Sequence, residues 1–289
     1  MVINDLNLDF EKINPISGRS LDKLFGQLTP MFYGKSVYYY TDVKALFNGI
    51  IIDNPKEKGE DICLWATKWS HLNDSTEIKS GLDLIKNGVP NDVLHNFERI
   101  LERNHSISFS LQKDFLPMWS MYGHYGSGVM LEFDAEKLFN KYNYRFLRCL
   151  YKDTEMFDTI AANLFGITYI EEKSSLNKEE LIYILAMHSS LFFSIVKNKY
   201  YQYEDEVRIV GIGNPLGLDA GSCIESYREC NGVPIPYVKE YFPKDFLKSV
   251  CLGPSTSDKN LSKQTIEKYL MSHNINVKVW CSEIPYRKF

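Results

Sequence analysis

Apolar and polar positions alternate in short runs along most of the chain, and few runs keep a helical period for long. Ser36 to Thr41 reads Ser-Val-Tyr-Tyr-Tyr-Thr, a β-branched and aromatic run that predicts a strand. Further strands are predicted over 61–67, 105–111, 128–134, 145–151, 204–210, 223–227, 233–238, 249–252 and 277–281, with a short one at 50–52. Asp42 is placed to cap a short helix, 43–48, that stops at Gly49. Helices are predicted over 74–87, behind an Asp74-x-x-Glu77 capping pattern, and over 91–103, 117–122, 135–142, 155–165, 181–200 and 261–272. Residues 1–34, punctuated by Asn14-Pro15 and Thr29-Pro30, read as a peripheral N-terminal segment, and 35–289 as a single catalytic-like domain. Strands and helices mix without a βαβ rhythm, so the expected class is α+β.

Composition narrows the functions this pattern could serve. A 44% hydrophobic chain has ample apolar area for a core, and a net charge of -4 argues against a sequence-blind nucleic-acid binder. The six cysteines form no Cys-x-x-Cys pair and no His stands at zinc spacing, so no metal and a reducing cytoplasm are expected. The longest apolar stretch, 181–196, is broken by His188, Ser189 and Ser190 and falls short of the roughly 20 residues a spanning helix needs. A core helix, no membrane and a cytoplasmic location are therefore expected.

The chain has no P-loop, Gly-x-Gly-x-x-Gly, nucleophile elbow or His-Glu-x-x-His. Its most informative run is Tyr203-Glu204-Asp205-Glu206-Val207-Arg208. On a strand, Glu204, Glu206 and Arg208 would share one face, the carboxylates about 6–7 Å apart. Such a row can steady a cationic intermediate or polarise a hydroxyl, and it can equally be a solvated face with an internal salt bridge. Tyr39 and Thr41 share a face of the first strand, and Ser108 and Ser110 a face of a later one. Tyrosine can stack on a flat ring and hydrogen-bond, and strand hydroxyls can hold a ribose or an amide; ordinary aromatic and surface-serine strands look the same. Trp119 and Tyr122, three apart, would line an aromatic slot or pack in the core.

Taken in order, these segments resemble the bacterial family known as domain of unknown function 2971. The resemblance runs from about Val37 to Arg287. It rests on Tyr38 to Thr41, Leu64-Trp65-Ala66-Thr67, Leu72-Asn73-Asp74, Ser108-Phe109-Ser110 and Met118-Trp119-Ser120-x-Tyr122. It continues through residues 128–133, Lys197, Tyr203 to Arg208, and Ser282-Glu283-Ile284-Pro285-Tyr286-Arg287. Leu72 stands where the family often has Phe, and Tyr201 where it often has Trp.

The order of elements is also similar to that of ADP-ribosyltransferases, with Tyr39 where a first-strand Arg or His is commoner. That resemblance implies a mixed, mostly antiparallel split sheet flanked by helices, with NAD as substrate. Glu206 would stabilise an oxocarbenium-like centre. Glu204 would orient or deprotonate the acceptor. Tyr39, Thr41, Ser108 and Ser110 would contact NAD, Trp119 or Tyr122 would stack nearby, and Arg208 would lie deeper among the NAD-binding candidates. The protein would then be a toxin or phage-defence effector modifying a nucleic acid or protein, with an antitoxin as a partner. Two other readings stay open: a non-catalytic nucleotide- or partner-binding module, and a hydrolase or nuclease using Glu204 and Glu206.

Overall fold

The computed structural model describes residues 32, 34–53, 57, 59–74, 104–151, 193–212, 224–230 and 232–286. Within these, twelve strands form in the order β1 (Ser36–Thr41), β2 (Ile62–Lys68), β3 (His105–Ser110), β4 (Val129–Asp134), β5 (Phe146–Arg148), β6 (Leu150–Tyr151), β7 (Val196–Lys197), β8 (Glu206–Ile212), β9 (Ser226–Cys230), β10 (Val233–Phe242), β11 (Leu247–Leu252) and β12 (Lys278–Cys281). Three α-helices of more than one turn accompany them: α1 (Leu116–Met121), α2 (Ala135–Tyr142) and α3 (Lys259–Ser272). Ten strands make one mixed, mostly antiparallel sheet, and β6 and β7 pair in parallel apart from it. The class is α+β, as the lack of βαβ rhythm implies.

The sheet divides at β3. Along one edge β3 pairs with β8, from His105↔Ile212 to Ser110↔Glu206. Its other edge is shared: β1 meets it at Ser110 and β2 at Ser106 and His105. One arm then runs β1-β4-β11-β12 and the other β2-β10-β9. Alternation assigns the faces. Val37, Leu64, Ile107, Phe109, Leu131, Val207 and Ile209 point to the main core with α2 and α3 residues such as Leu138 and Ile266. Phe32 joins that core, 4.5 Å from the Phe146 ring, so the packed body starts before the expected boundary at residue 35.

Several predicted elements need correction. The 181–200 helix does not run to its expected end. Val196–Lys197 is a strand and Lys199–Glu204 a 3-10 helix, because Asn198 breaks the chain and caps the new turn through the Tyr200 N–H. The 145–151 strand divides at Cys149, so that Phe146–Arg148 pairs with β8 and Leu150–Tyr151 with β7. The 204–210 strand starts only at Glu206, because Asp205 sits in the left-handed region at φ 43°. The 50–52 strand shrinks to one bridge, Ile51 to Ile62. The 43–48 helix is a turn, Val43–Ala45, that widens to a π-type turn, Leu46–Ile50. Residues 75–87 of the helix expected at 74–87, the helices expected at 91–103 and 155–165, and residues 181–192 lie outside the described residues. Among the described residues no helix is long and apolar enough to cross a membrane.

Candidate functional site

Three breaks in local structure bring scattered residues together. The 3-10 helix ends as the Asp205 N–H bonds the Gln202 carbonyl at 3.2 Å. The left-handed Asp205 then swings Glu206, two residues beyond Glu204, into β8. Upstream, β7 ends at Lys197, whose side chain turns inward. Its Nζ donates to Glu204 Oε2 at 2.5 Å and to Glu206 Oε2 at 2.7 Å. The Tyr201 ring lies 4.7 Å from the same ammonium. Arg208, two residues along β8, grips Glu206 from the other side, Nε to Oε1 at 2.6 Å and Nη2 to Oε2 at 2.9 Å. Its Nη1 donates to the Ser194 carbonyl at 2.8 Å.

All four side chains are sealed: Lys197 and Arg208 are 1% exposed, Glu204 2% and Glu206 4%. Two cations balance two carboxylates, which is the condition for keeping charges inside a protein. Burial by itself would raise the Glu206 carboxyl pKa; Arg208 and then Lys197 outweigh burial and hold it well below the usual carboxylate range. Burial would likewise lower the Lys197 pKa, but the facing carboxylates leave it raised. Glu206 is therefore a fixed anion at neutral pH, with both oxygens occupied.

Neutral groups complete the network. The Tyr122 hydroxyl donates to Glu204 Oε1 at 2.7 Å and accepts from the amide of exposed Asn73. Burial, then Glu204, pushes the Tyr122 pKa far up, so it stays a donor. The Tyr151 hydroxyl accepts the Glu206 N–H at 2.9 Å. The Ser110 hydroxyl donates to the Glu204 carbonyl at 2.6 Å and accepts the Gln112 N–H at 3.0 Å.

Beside this network opens a cleft of about 460 Å³. Phe115, Tyr151 and Tyr203 supply rings, Gln112 and Gln202 amides, and Arg148 and Asp205 charges. Arg148 forks onto Asp205 Oδ1, Nε at 3.0 Å and Nη2 at 2.5 Å, so the guanidinium is oriented rather than loose. The volume falls within the range of small-molecule sites. Among the described residues no group of three or more His, Cys, Asp and Glu is arranged to hold a metal.

The sequence candidates separate into three groups. Glu204, Glu206, Arg208, Ser110 and Tyr122 are brought together, although Glu204 arrives by a turn and not as a strand neighbour. Ser108 stands opposite Arg208 on the same face of the sheet and is half-buried. Tyr39 and Thr41 are not brought to the carboxylates. The registers Tyr38↔Ser110 and Ser110↔Glu206 put Tyr38 and Tyr40 on that face and send Tyr39 and Thr41 to the other. Tyr39 packs edge-on to Phe109 at 6.0 Å. Trp119 is fully buried, edge-on to Tyr40 at 5.0 Å, and its Nε1 donates to Asp114 at 2.8 Å, so it packs and does not line the cleft. The site assignment missed Lys197, Asn73 and Tyr151 and the cleft residues Arg148, Gln202 and Tyr203. A charged residue closing the apolar run Phe192 to Val196 was the signal for Lys197. The others carry no local signal.

Residues 118–209 match the family described as Protein of unknown function (DUF2971). The matched stretch is similar to that family. It holds Tyr122, Lys197, Glu204, Glu206 and Arg208, and so most of the buried network. Asn73 and Ser110, which lie before the matched stretch, reach the same centre through Tyr122 and the Glu204 carbonyl. No curated protein and no solved structure matches the chain.

Proposed function

We propose that this protein is a nucleotide-binding module whose ligand lies in the cleft and whose buried acidic pair serves as the rigid floor beside it. The observation that carries this reading is the contrast between the two neighbours. Both Glu206 oxygens are taken by buried cations, whereas the cleft presents rings and amides to solvent. Tyr203 and Phe115 offer faces for a planar base. Gln112 and Gln202 offer the paired donor and acceptor atoms that a base edge recognises. Calorimetric titration of adenosine 5′-monophosphate tests it. Saturable binding, weakened about tenfold or more by Tyr203→Ala, is expected for loss of one stacked base. Equal binding by both proteins overturns the cleft assignment.

A second reading is transfer of ADP-ribose from NAD to a nucleic-acid or protein acceptor, in a toxin or phage-defence setting. It is favoured by the gathering of Glu204, Glu206, Ser110 and Tyr122 into one network. It requires Glu206 to give up one of its cations so that a carboxylate oxygen faces the ribose. Nicotinamide release by the wild type, lost in Tyr122→Phe and Ser110→Ala proteins that remain folded, supports this reading. Intact NAD after prolonged incubation with cell lysate removes it.

A further inference from the structure

Elsewhere in the sheet, one face of the β2-β10-β9 arm gathers cations, and among the described residues its registers place no carboxylate beside them. The registers Tyr237↔Thr67, Lys239↔Trp65, Tyr237↔Ser226 and Ile235↔Arg228 place Trp65, Thr67, Tyr237, Lys239 and Arg228 on one face of the β2-β10-β9 arm. The same alternation sends Glu229 and Glu240 to the opposite face, where they bond the Gly232 N–H and the Tyr142 hydroxyl. Arg228 stacks its guanidinium over two rings, 5.5 Å from the Trp65 centroid and 5.7 Å from that of Tyr237. Those rings lie 5.0 Å apart with an interplanar angle of 31°. Its Nη2 donates to Thr67 Oγ1 at 2.8 Å. Among the described residues no carboxylate is within ion-pair distance of it, in contrast to Arg148 and Arg208, each of which has one.

The stack fixes the plane of the guanidinium. Nη2 carries two hydrogens and spends one on Thr67; among the described residues Nε, Nη1 and the second Nη2 hydrogen have no bound acceptor, so Nη2 with one of its neighbours leaves a parallel pair of donors. A fork of two parallel N–H donors is the geometry that a phosphate oxygen pair accepts. Lys239, exposed and directly across from Trp65, adds a second positive charge to the same face. The two rings belong to β2 and β10, and β9 contributes the guanidinium, which lies over both; with no carboxylate among the described residues at ion-pair distance, its remaining donors give this face an anion-binding capacity.

We propose that Arg228, with Lys239, forms a binding site for the phosphate group of a small ligand on the β2-β10-β9 face, separate from the cleft. The test is a titration of the full chain with inorganic phosphate at constant ionic strength, followed by tryptophan fluorescence and by thermal shift, with chloride as the control anion. A saturable fluorescence change that disappears in Trp65→Phe is expected, because the anion pairs with the cation lying on that ring. The midpoint should rise about tenfold or more in Arg228→Gln, the scale of a lost charge-assisted hydrogen bond, and to a smaller extent in Lys239→Gln. Tyr203→Ala should leave it unchanged, which distinguishes this site from the cleft whether or not the cleft binds nucleotide. A non-saturable response, a change that survives Trp65→Phe, or a midpoint unmoved by Arg228→Gln overturns the proposal. If Arg228→Gln fails to fold, Lys239→Gln decides, and an unmoved midpoint there overturns it.

Discussion

Lys197 holds two carboxylates at once, and that single ammonium determines what the acidic pair can do. Removing one charge from a sealed, balanced set leaves its partners unmatched, which costs about 3–5 kcal/mol. Glu206→Gln should lower the free energy of unfolding by that order in a urea titration. A loss below about 1 kcal/mol, the scale of an exposed pair, would contradict the sealed network. The pH dependence follows from the same residue. The folded pKa of Glu206 is depressed, so its stabilisation is fully present above the unfolded carboxylate value of 4.5 and is lost as pH falls through the folded value. Unfolding free energy should therefore drop from pH 4.5 downward, and more weakly in Glu206→Gln; identical acid profiles would contradict the assignment. At this scale the sequence was informative where chemistry is local. Glu204, Glu206 and Arg208 were legible because they are adjacent. The partners of Lys197 were not, because they depend on the 3-10 turn that carries the chain from Lys197 back to Glu204 and Glu206. Tyr39 was misplaced by one position in the pleat: its neighbour Tyr38 faces Ser110, and a one-residue difference exchanges the faces of a sheet.

At the scale of elements, periodicity located β1 and α2 to the residue, since each buries one face against the main core. It failed where a polar residue interrupts the pattern for a tertiary reason. Asn198 ends a strand to seat Lys197, and Asp205 spends its side chain on Arg148 while its backbone turns left-handed. Close backbone approaches were equally invisible. A Cβ on Gly128 would stand 2.1 Å from the Thr41 carbonyl oxygen, where β4 begins beside the end of β1. Because that neighbour is backbone, Gly128→Ala should destabilise by about 1–3 kcal/mol or more in thermal or urea unfolding. An unchanged midpoint would mean the two strands separate easily. The C-terminal end of α3 has its own titrating contact. The His273 imidazole lies 2.5 Å from an Asp53 oxygen and also meets the Tyr269 carbonyl. The Asp53 contact, then the carbonyl, raises its pKa above 6.5. The raised value means this contact stabilises below pH 6.5 and fades as pH rises through the folded pKa. The melting temperature of the wild type should fall across that window by more than that of Asp53→Asn. Parallel curves would show that the contact contributes nothing.

For the whole molecule, the class followed from the mixed order of strands and helices, whereas the division of the sheet did not. Two strands share one edge of β3, and no local pattern in His105 to Ser110 announces that β1 and β2 will both dock there. The division separates the two proposed sites. One side of the molecule joins the buried Lys197–Glu206–Arg208 centre to an open cleft, and the far arm displays Arg228 over its rings. The central claim is that the acidic pair is structural and the cleft beside it binds a nucleotide. Titrating the protein with NAD in a calorimeter, then analysing the contents of the cell for nicotinamide, tests it most directly. The account predicts saturable binding that Tyr203→Ala weakens, with the NAD recovered intact. Nicotinamide released in proportion to protein and time would contradict it, and would make Glu206 a carboxylate that reaches its substrate.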